Sequence, residues 1–238
     1  MFGGAGWPGD SCCALLFVIL RMEAIVEQML RYPQVHLYLQ QVQDALREEQ
    51  DRRKAFHDSL SDDTNAEFIN GEIIENVSTD LGHNEATGFL YRLLSVFAGR
   101  NKLGRAGIEK LMVSLTRNDY EPDVCFWKAD RSAHFSSSQR LFPAPDFVAE
   151  VLSGSTQKRD RGIKFQDYAA HGVGEYWIVD AERRTVEQYA LVNGQYELVE
   201  KKNSGIIAST VVDGFTLPVE AIFDEQRNLE ALAGILKS

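Results

Sequence analysis

Two carboxylates and one amine near the middle of the chain have the types and spacing needed for metal-assisted chemistry. Asp123 follows Pro122 at the start of an apolar stretch, and Glu150 interrupts an apolar run. An ionised carboxylate in such a run costs free energy unless a cation or a donor meets it. Two carboxylates on neighbouring strands supply the hard oxygen ligands that Mg²⁺ prefers, with Mn²⁺ as an alternative ion. With Lys164 to position water or stabilise charge, the set predicts metal-assisted phosphodiester hydrolysis.

Each of these residues also has a plain structural explanation. Asp123 would cap the end of a strand, and Lys164 would be an ordinary surface lysine. Glu150 would form a buried ion pair with Arg159 or Arg161. The residue types alone leave these alternatives open.

The element that must position Glu150 is a strand–helix–strand unit. Two short apolar strands joined by one crossover helix predict a right-handed βαβ unit with parallel strands. The helix carries cations close to Glu150, and three of them, Lys158, Arg159 and Arg161, are candidates for contacts with a nucleic-acid backbone. The predicted parts are a strand at Phe147–Leu152, an N-cap at Ser155 or Thr156, a helix to about His171 that stops at Gly172, and a strand at Glu175–Asp180.

Tight turns and residue periodicity predict the other elements. Asn70-Gly71 and Asn193-Gly194 each separate two strand-like runs, which is the pattern of a β-hairpin. Helical spacing of apolar residues predicts a helix over His83–Arg100. Alternation and apolar runs predict single strands over Gly107–Thr116 and Tyr120–Trp127.

Composition narrows the class of protein. The chain has 238 residues, 44% of them hydrophobic, and a net charge of -10, which argues against nonspecific nucleic-acid binding by the bulk surface but permits a local basic groove. Three cysteines are too few for a disulfide framework or a zinc site, so a reducing cytoplasm is predicted. The sequence contains neither a GxSxG motif nor a P-loop lysine pattern, which argues against serine hydrolases and nucleotide hydrolysis.

The ends of the chain differ from its centre. Residues 1–21 contain the apolar run CCALLFVIL, which is too short to cross a membrane, and they are predicted to be a non-native or disordered leader before Met22. Residues 22–60 predict a helical extension broken at Pro33. Its apolar stripe would pack on the domain or pair two copies into a homodimer; the stripe consists of Val35, Leu39, Val42 and Leu46. Residues 61–224 would form the main domain and residues 225–238 a C-terminal tail.

A resemblance to a known family rests on four segments of the sequence, EPDV, PDFVAEVLSGST, DRGIKFQDYAAHGV and EYWIVD. They closely resemble the Uma-type restriction endonuclease family of the PD-(D/E)xK nuclease superfamily, over about residues 60–224. The resemblance implies an α/β fold with a restriction-endonuclease-like core, in which a mixed central sheet is flanked by helices. The helical extension would be an addition at the N-terminus.

The resemblance also implies residue roles. Asp123 would be the aspartate of the PD element, and Glu150 the acid of the (D/E)xK element, together binding Mg²⁺. The position of the expected lysine is occupied by Leu152, so Lys164 is offered as a migrated replacement. Glu67 and His83 fall in matching stretches and are secondary candidates. The implied activity is metal-dependent hydrolysis of DNA by an endonuclease.

An alternative hypothesis keeps the fold without the chemistry. Leu152 at the lysine position and the acidic composition are also compatible with a catalytically silent nucleic-acid-binding or scaffold module. Metal binding would discriminate between the two hypotheses, since only the nuclease requires a divalent ion.

Overall fold

The computed structural model of the protein describes residues 24–61 and 63–237. Backbone contacts divide the chain into two units, Met1–Ala55 and Phe56–Ser238. The predicted leader at residues 1–21 lies outside the described residues and stays a prediction.

The first unit is helical where it is described. Residues 24–30 are helical, residues 31–34 form a turn that contains Pro33, and helix α1 (Val35–Ser59) then begins. Pro33 therefore interrupts the helix, as its missing N–H predicts. Leu39, Val42 and Leu46 of the apolar stripe are between 40% and 51% exposed. Pairing of two copies through this stripe stays a prediction.

The second unit contains two larger mixed sheets and one strand pair. The strands are β1 Ala66–Ile69, β2 Glu72–Glu75, β3 Gly104–Ile108, β4 Met112–Ser114, β5 Asp119–Tyr120, β6 Val124–Lys128, β7 Leu141–Phe142, β8 Phe147–Val151, β9 Glu175–Asp180, β10 Thr185–Val192, β11 Gln195–Lys202, β12 Ile206–Ala208 and β13 Thr216–Pro218. The six-stranded sheet has the order β11-β10-β9-β8-β6-β3, and the five-stranded sheet has the order β2-β1-β5-β4-β7. Strands β12 and β13 pair with each other.

The helices of the second unit lie between and after these strands in the chain. They are α2 Leu81–Arg100, α3 Ala129–Ser132, α4 Gln157–Asp160, α5 Ile163–Ala170 and α6 Glu225–Lys237, with a 3₁₀ helix at Val219–Ile222. Within the described residues, every helix is too short or too polar to span a lipid bilayer. The segment predicted as a tail is helix α6, whose Ile235 lies in the main hydrophobic core.

The two faces of strand β8 serve different cores. Phe147, Ala149 and Val151 pack in the core that contains the apolar residues of α2. Val148 packs in the opposite core, together with Tyr168 of α5. Because side chains alternate along a strand, Glu150 projects to the same face as Val148. The sequence pattern of β8 therefore aims its only acid toward helix α5.

The predicted βαβ unit is confirmed in its strands and revised in its helix. Strands β8 and β9 are parallel neighbours. The crossover, however, consists of two short helices, α4 and α5, separated at Gly162. A Cβ atom at Gly162 would lie 2.7 Å from the carbonyl oxygen of Lys158, so the chain passes too close for a side chain there. Thr156 precedes α4 but makes no side-chain capping bond, contrary to the prediction.

Two predicted strands are each divided between the two larger sheets. The segment predicted as one strand over Gly107–Thr116 contributes β3 to the six-stranded sheet and β4 to the five-stranded sheet, with Glu109 and Lys110 between them at φ values of 36° and 45°. The segment Tyr120–Trp127 is likewise divided at Pro122-Asp123 into β5 and β6. Glu109 and Asp123 lie opposite each other where the antiparallel pairing of β3 with β6 ends, and the amide of Glu109 donates to the Asp123 carbonyl at 3.1 Å.

The predicted tight turns are confirmed. Asn70 and Gly71 have φ values of 51° and 87° between β1 and β2, and Asn193 and Gly194 have values of 50° and 80° between β10 and β11. These left-handed conformations are those that a two-residue hairpin turn requires. Gly172 has a φ of 76° after α5, as expected for a helix stop.

Candidate active site

A polar pocket of about 200 Å³ gathers the residues that the sequence singled out for catalysis. Asp123, Glu150, Lys164, Glu67 and His83 all line it. They come from β1, α2, β8, α5 and the turn before β6. Residues 97 positions apart in the chain thus face one cavity, which only the tertiary fold can arrange.

Asp123 and Glu150 are joined across the β6–β8 strand pair. The amide of Val151 donates to Asp123 Oδ2 at 2.7 Å, and the amide of Asp123 donates to Glu150 Oε2 at 3.3 Å. Each acid is therefore held by the backbone of the strand segment that carries the other. This reciprocal pairing fixes both carboxylates at the wall of the pocket.

Glu150 is a deeply buried acid with charged surroundings. Its side chain is 2% exposed, and its Oε1 accepts from Lys164 at 3.2 Å and from the Tyr168 hydroxyl at 3.4 Å. Burial raises the pKa of Glu150 well above its ordinary value, and the negative charges of Asp160, Asp123 and Glu67 add to the rise while Lys164 opposes it. The carboxylate is held at an energetic cost, which a second cation would reduce.

Lys164 is the buried cation of the site. Its Nζ lies 2.8 Å from Glu67 Oε1, 3.2 Å from Glu150 Oε1 and 3.6 Å from Asp160 Oδ1. Burial alone would lower its pKa, but the attraction of Glu150, Glu67 and Asp160 outweighs burial, and the pKa is raised well above its ordinary value. At neutral pH Lys164 is therefore a fixed positive charge rather than a base.

The geometry of β8 explains how a helix lysine comes to lie next to Glu150. Leu152 continues the face of Glu150 and packs in the core that includes Tyr168 and Ile163. Helix α5 covers this same face, so a side chain from its first turn approaches Glu150 directly. Leu152 is thus packed among apolar side chains, and the amine next to Glu150 comes from helix α5.

Glu67 is the nearest partner of Lys164. Its side chain is 1% exposed, and its Oε1 also accepts from the Glu121 amide at 3.0 Å. Its other oxygen, Oε2, is buried without a hydrogen-bond partner among the described residues. The sequence treated Glu67 as a secondary candidate, whereas the structure places it in direct contact with the predicted catalytic amine.

His83 lies in the first turn of α2, where the Asp80 side chain caps the helix by accepting from the His83 amide at 2.9 Å. The His83 side chain is 4% exposed, and its Nε2 lies 3.3 Å from Asp123 Oδ2. Burial lowers the pKa of His83, but the hydrogen bond and charge of Asp123 outweigh burial and the pKa is raised. The secondary candidate of the sequence is thus a direct neighbour of Asp123.

Three further carboxylates of the pocket were not singled out by the sequence: Glu109, Glu121 and Asp160. Asp160 is 1% exposed and lies beside Lys164. Glu121 was part of the EPDV motif, where only its neighbour Asp123 was singled out. Burial and then the charge of Glu67 raise the pKa of Glu121 to about 7. Glu109 gave no signal, because it appeared to lie inside one continuous strand.

Acid predominates in the pocket. Six carboxylates line it, whereas its lysines are Lys110 and Lys164. Such an excess of negative charge, with Glu67 Oε2 unpartnered in the part of the chain that the structure describes, fits the hard-oxygen donor set of a divalent cation.

The three predicted backbone-binding cations lie outside the lining of this pocket. Lys158 is exposed. Arg161 makes a bidentate ion pair with Glu187, at 2.7 Å and 2.9 Å. Arg159 is partly buried. Lys158 and Arg161 are both exposed, but the guanidinium of Arg161 is already engaged by Glu187.

Comparisons with known proteins agree with the architecture. A solved structure described as "a putative nuclease belonging to DUF820" from Anabaena variabilis is similar, with a TM-score of 0.61 and 17% identity over 74% of this chain and 96% of that chain. An uncharacterised protein of Synechocystis sp. is 30% identical over 136 residues, which cover 56% of this chain and 76% of the relative. The model of the Uma2 family, whose description is "Putative restriction endonuclease", matches residues 33–220. The fold, a restriction-endonuclease-like α/β core with a mixed sheet and an N-terminal helix, is similar to that of the solved structure. The chain therefore belongs to the Uma2 family.

Proposed function

We propose that the protein is a metal-dependent endonuclease that hydrolyses phosphodiester bonds of DNA. The observation that carries the proposal is the convergence of Asp123, Glu150 and Lys164 on one acidic pocket. Membership of a family whose description is "Putative restriction endonuclease" supports the substrate class.

In this proposal Asp123 and Glu150 hold Mg²⁺ or Mn²⁺ at the pocket wall. The ion would supply Lewis-acid stabilisation of the phosphate and a more acidic bound water. The protein's own contribution is to fix the two acids through the Val151 and Asp123 amides, so that no reorganisation is needed when substrate arrives. Two backbone-anchored carboxylates are better defined than two acids on mobile loops.

Lys164 would act as a permanent charge next to the scissile phosphate. Its raised pKa favours the protonated amine, which donates hydrogen bonds and has no lone pair with which to remove a proton. The amine would orient the attacking water or stabilise the additional negative charge of the transition state. Glu67, which contacts the same amine at 2.8 Å, would keep it in place.

The exposed Lys158, with Arg159 and Arg161, would contact the phosphate backbone on the surface beside the site. Each phosphate contact adds salt-dependent affinity without sequence preference. The net charge of -10 limits such contacts to local surfaces.

The test is cleavage of a supercoiled plasmid by purified wild-type protein in Mg²⁺, in Mn²⁺ and in EDTA, compared with Asp123→Ala and Glu150→Ala. We expect nicking by the wild type that requires a divalent ion and is lost in both variants. Equal nicking by all three proteins would assign the cleavage to a contaminant. DNA binding without metal binding would instead support the silent module with a nuclease fold.

A further inference from the structure

The pocket holds a second grouping of ligand atoms that the sequence did not predict. One ring nitrogen of His83 and one carboxylate oxygen each of Glu109 and Asp123 all lie within 4.8 Å of one another. These residues come from α2, from the turn between β3 and β4, and from the turn before β6. Ligand atoms about 2.0–2.2 Å from one ion lie at most about 4.4 Å apart, so three atoms at this spacing need at most a small adjustment of their side chains to share an ion.

His83 is the unusual member of this trio. Its side chain is 4% exposed, and its Nδ1 is buried without a hydrogen bond of good geometry among the described residues, with the backbone of Val151 beside the ring. In metal-binding histidines a backbone carbonyl commonly holds one ring nitrogen while the other nitrogen binds the ion. The contact of Nε2 with Asp123 Oδ2, at 3.3 Å, directs the ring toward the carboxylate that the mechanism requires.

Glu150 is engaged differently. Its Oε1 accepts from Lys164 and Tyr168, and its Oε2 accepts from the Asp123 amide. Both oxygens thus have partners from the chain itself, and Glu150 is not a member of the trio. Glu150 remains the second acid of the proposed metal site, while a fuller coordination shell requires donors from elsewhere in the pocket.

We propose that His83 and Glu109 complete the coordination shell around Asp123, and that the imidazole makes the site prefer Mn²⁺ or another first-row transition ion to Mg²⁺. Mg²⁺ favours oxygen ligands, whereas imidazole suits transition metals. The inference deepens the proposed function by naming the ligands and the class of ion, and it rests on that function only for the use made of the ion.

The pairing of β3 with β6 is the structural means by which Glu109 joins the site. The two strands are antiparallel with Ile108 opposite Val124, so the next residue of the first strand, Glu109, lies opposite Asp123 at the start of the second. The amide of Glu109 donates to the Asp123 carbonyl at 3.1 Å, and the two acids are fixed side by side.

The test measures metal binding directly, with no substrate present. Mn²⁺ is titrated into the full chain, free Mn²⁺ is followed by electron paramagnetic resonance, and Mg²⁺ is used as competitor. Pulsed measurements on the bound ion report whether a nitrogen nucleus is coupled to it. The variants are His83→Gln and Glu109→Gln, with Glu85→Gln, an exposed acid on the same helix, and His134→Gln, an exposed histidine, as matched controls.

We expect nitrogen coupling in the wild type and in both controls, and its loss in His83→Gln. Mn²⁺ affinity should fall by about 10–100-fold in His83→Gln and in Glu109→Gln, at least the loss seen when outer-shell partners of metal ligands are removed. Mg²⁺ affinity should change less in His83→Gln, so the preference for Mn²⁺ narrows. Circular dichroism and thermal melting establish that each variant is folded.

Two outcomes would overturn the inference: bound Mn²⁺ without nitrogen coupling in the wild type, or unchanged Mn²⁺ affinity in folded His83→Gln. Failure of the proposed function is a separate result. A protein that binds Mn²⁺ through His83 but cleaves no DNA keeps the metal site and loses the nuclease. A protein that cleaves DNA without nitrogen coupling keeps the nuclease and loses this ligand set.

Discussion

Two buried glutamates on adjacent parallel strands, Glu150 on β8 and Glu175 on β9, have opposite surroundings. Glu175 is fully buried and accepts five hydrogen bonds, from Trp177 Nε1 at 2.6 Å, Gln188 Nε2 at 2.6 Å, Ser209 Oγ at 2.5 Å and the amides of Thr210 and Val211 at 2.9 Å and 3.1 Å. Glu150 instead shares Lys164 with two other acids and lines the pocket.

The difference shows that burial of an acid does not by itself indicate a functional site. Neutral donors saturate Glu175, so it joins β9 and β10 to the loop after β12 as a structural element. The surroundings of Glu150 are short of positive charge, and this shortage faces a cavity. A cation can compensate the negative charge of Glu150, whereas five hydrogen-bond donors already stabilise that of Glu175.

The largest effect expected from this comparison is on cleavage. Glu150→Gln should reduce metal-dependent cleavage on the order of 10³-fold. A metal ion stabilises the transition state by several kcal/mol, and each loss of about 1.4 kcal/mol slows the reaction tenfold. Its free energy of unfolding should change by only about 1 kcal/mol, since a buried excess of negative charge is relieved. Single-turnover cleavage and urea denaturation measure the two quantities.

Glu175→Gln is the matched control on the neighbouring strand. It should lower the free energy of unfolding by about 3 kcal/mol, because it leaves buried donors without an acceptor, while cleavage per folded molecule stays within about twofold. A cleavage loss in Glu175→Gln as large as that in Glu150→Gln would erase the distinction between the two acids.

The next largest effect concerns Lys164. Lys164→Met should lower the free energy of unfolding by about 3–5 kcal/mol at neutral pH, because it leaves Glu67, Glu150 and Asp160 without their shared cation. Adding Glu67→Gln should restore part of the loss, since one uncompensated charge is removed. Denaturant titrations of the wild type, both single variants and the double variant give the coupling energy, and strictly additive effects would contradict the shared-cation description.

A third carboxylate, Glu187, extends the comparison to the pH dependence of stability. Hydrogen bonds from Arg161, opposed by partial burial and aided by Lys201, lower the pKa of Glu187 to about 2. A depressed folded-state pKa contributes stability that is present above the ordinary value of 4.5 and is lost as pH falls toward about 2. The difference in unfolding free energy between wild type and Glu187→Gln should therefore shrink across this range.

The size of this difference should be at most about 1 kcal/mol, because Arg161 and Lys201 are partly exposed and solvent screens their charges. Urea titrations at several pH values measure it, with the exposed Glu72→Gln as control. A difference that grows as the pH falls would contradict the assigned sign.

The smallest effect distinguishes the surface cations. Lys158→Gln should weaken DNA binding modestly and reduce the slope of log affinity against log salt by about one, the value for one lost phosphate contact. Arg161→Gln should change the slope less, because Arg161 is already engaged by Glu187. Fluorescence anisotropy in Ca²⁺ at several salt concentrations measures both slopes, and a larger change in Arg161→Gln would reverse the assignment.

Local patterns predicted the parts of the fold that depend on neighbouring residues in the chain. The Asn-Gly turns, the stop at Gly172 and the parallel strands around Glu150 are confirmed because backbone conformational preferences and side-chain alternation act over a few residues. The prediction of one helix between these strands was wrong in detail. The sequence around Gly162 does not reveal that the Lys158 carbonyl occupies the space that a Cβ atom at this position would need.

The sequence by itself determined that acids occur at Asp123 and Glu150, that Glu150 shares one strand face with Val148, and that an amine lies in the helix beyond. Tertiary structure alone decided that Lys164 reaches Glu67 and Glu150, and that Glu109 joins His83 and Asp123. The reason is physical: these contacts depend on the pairing of distant strands and on the packing of helix α5 against the sheets, which residue types and short-range periodicity do not encode.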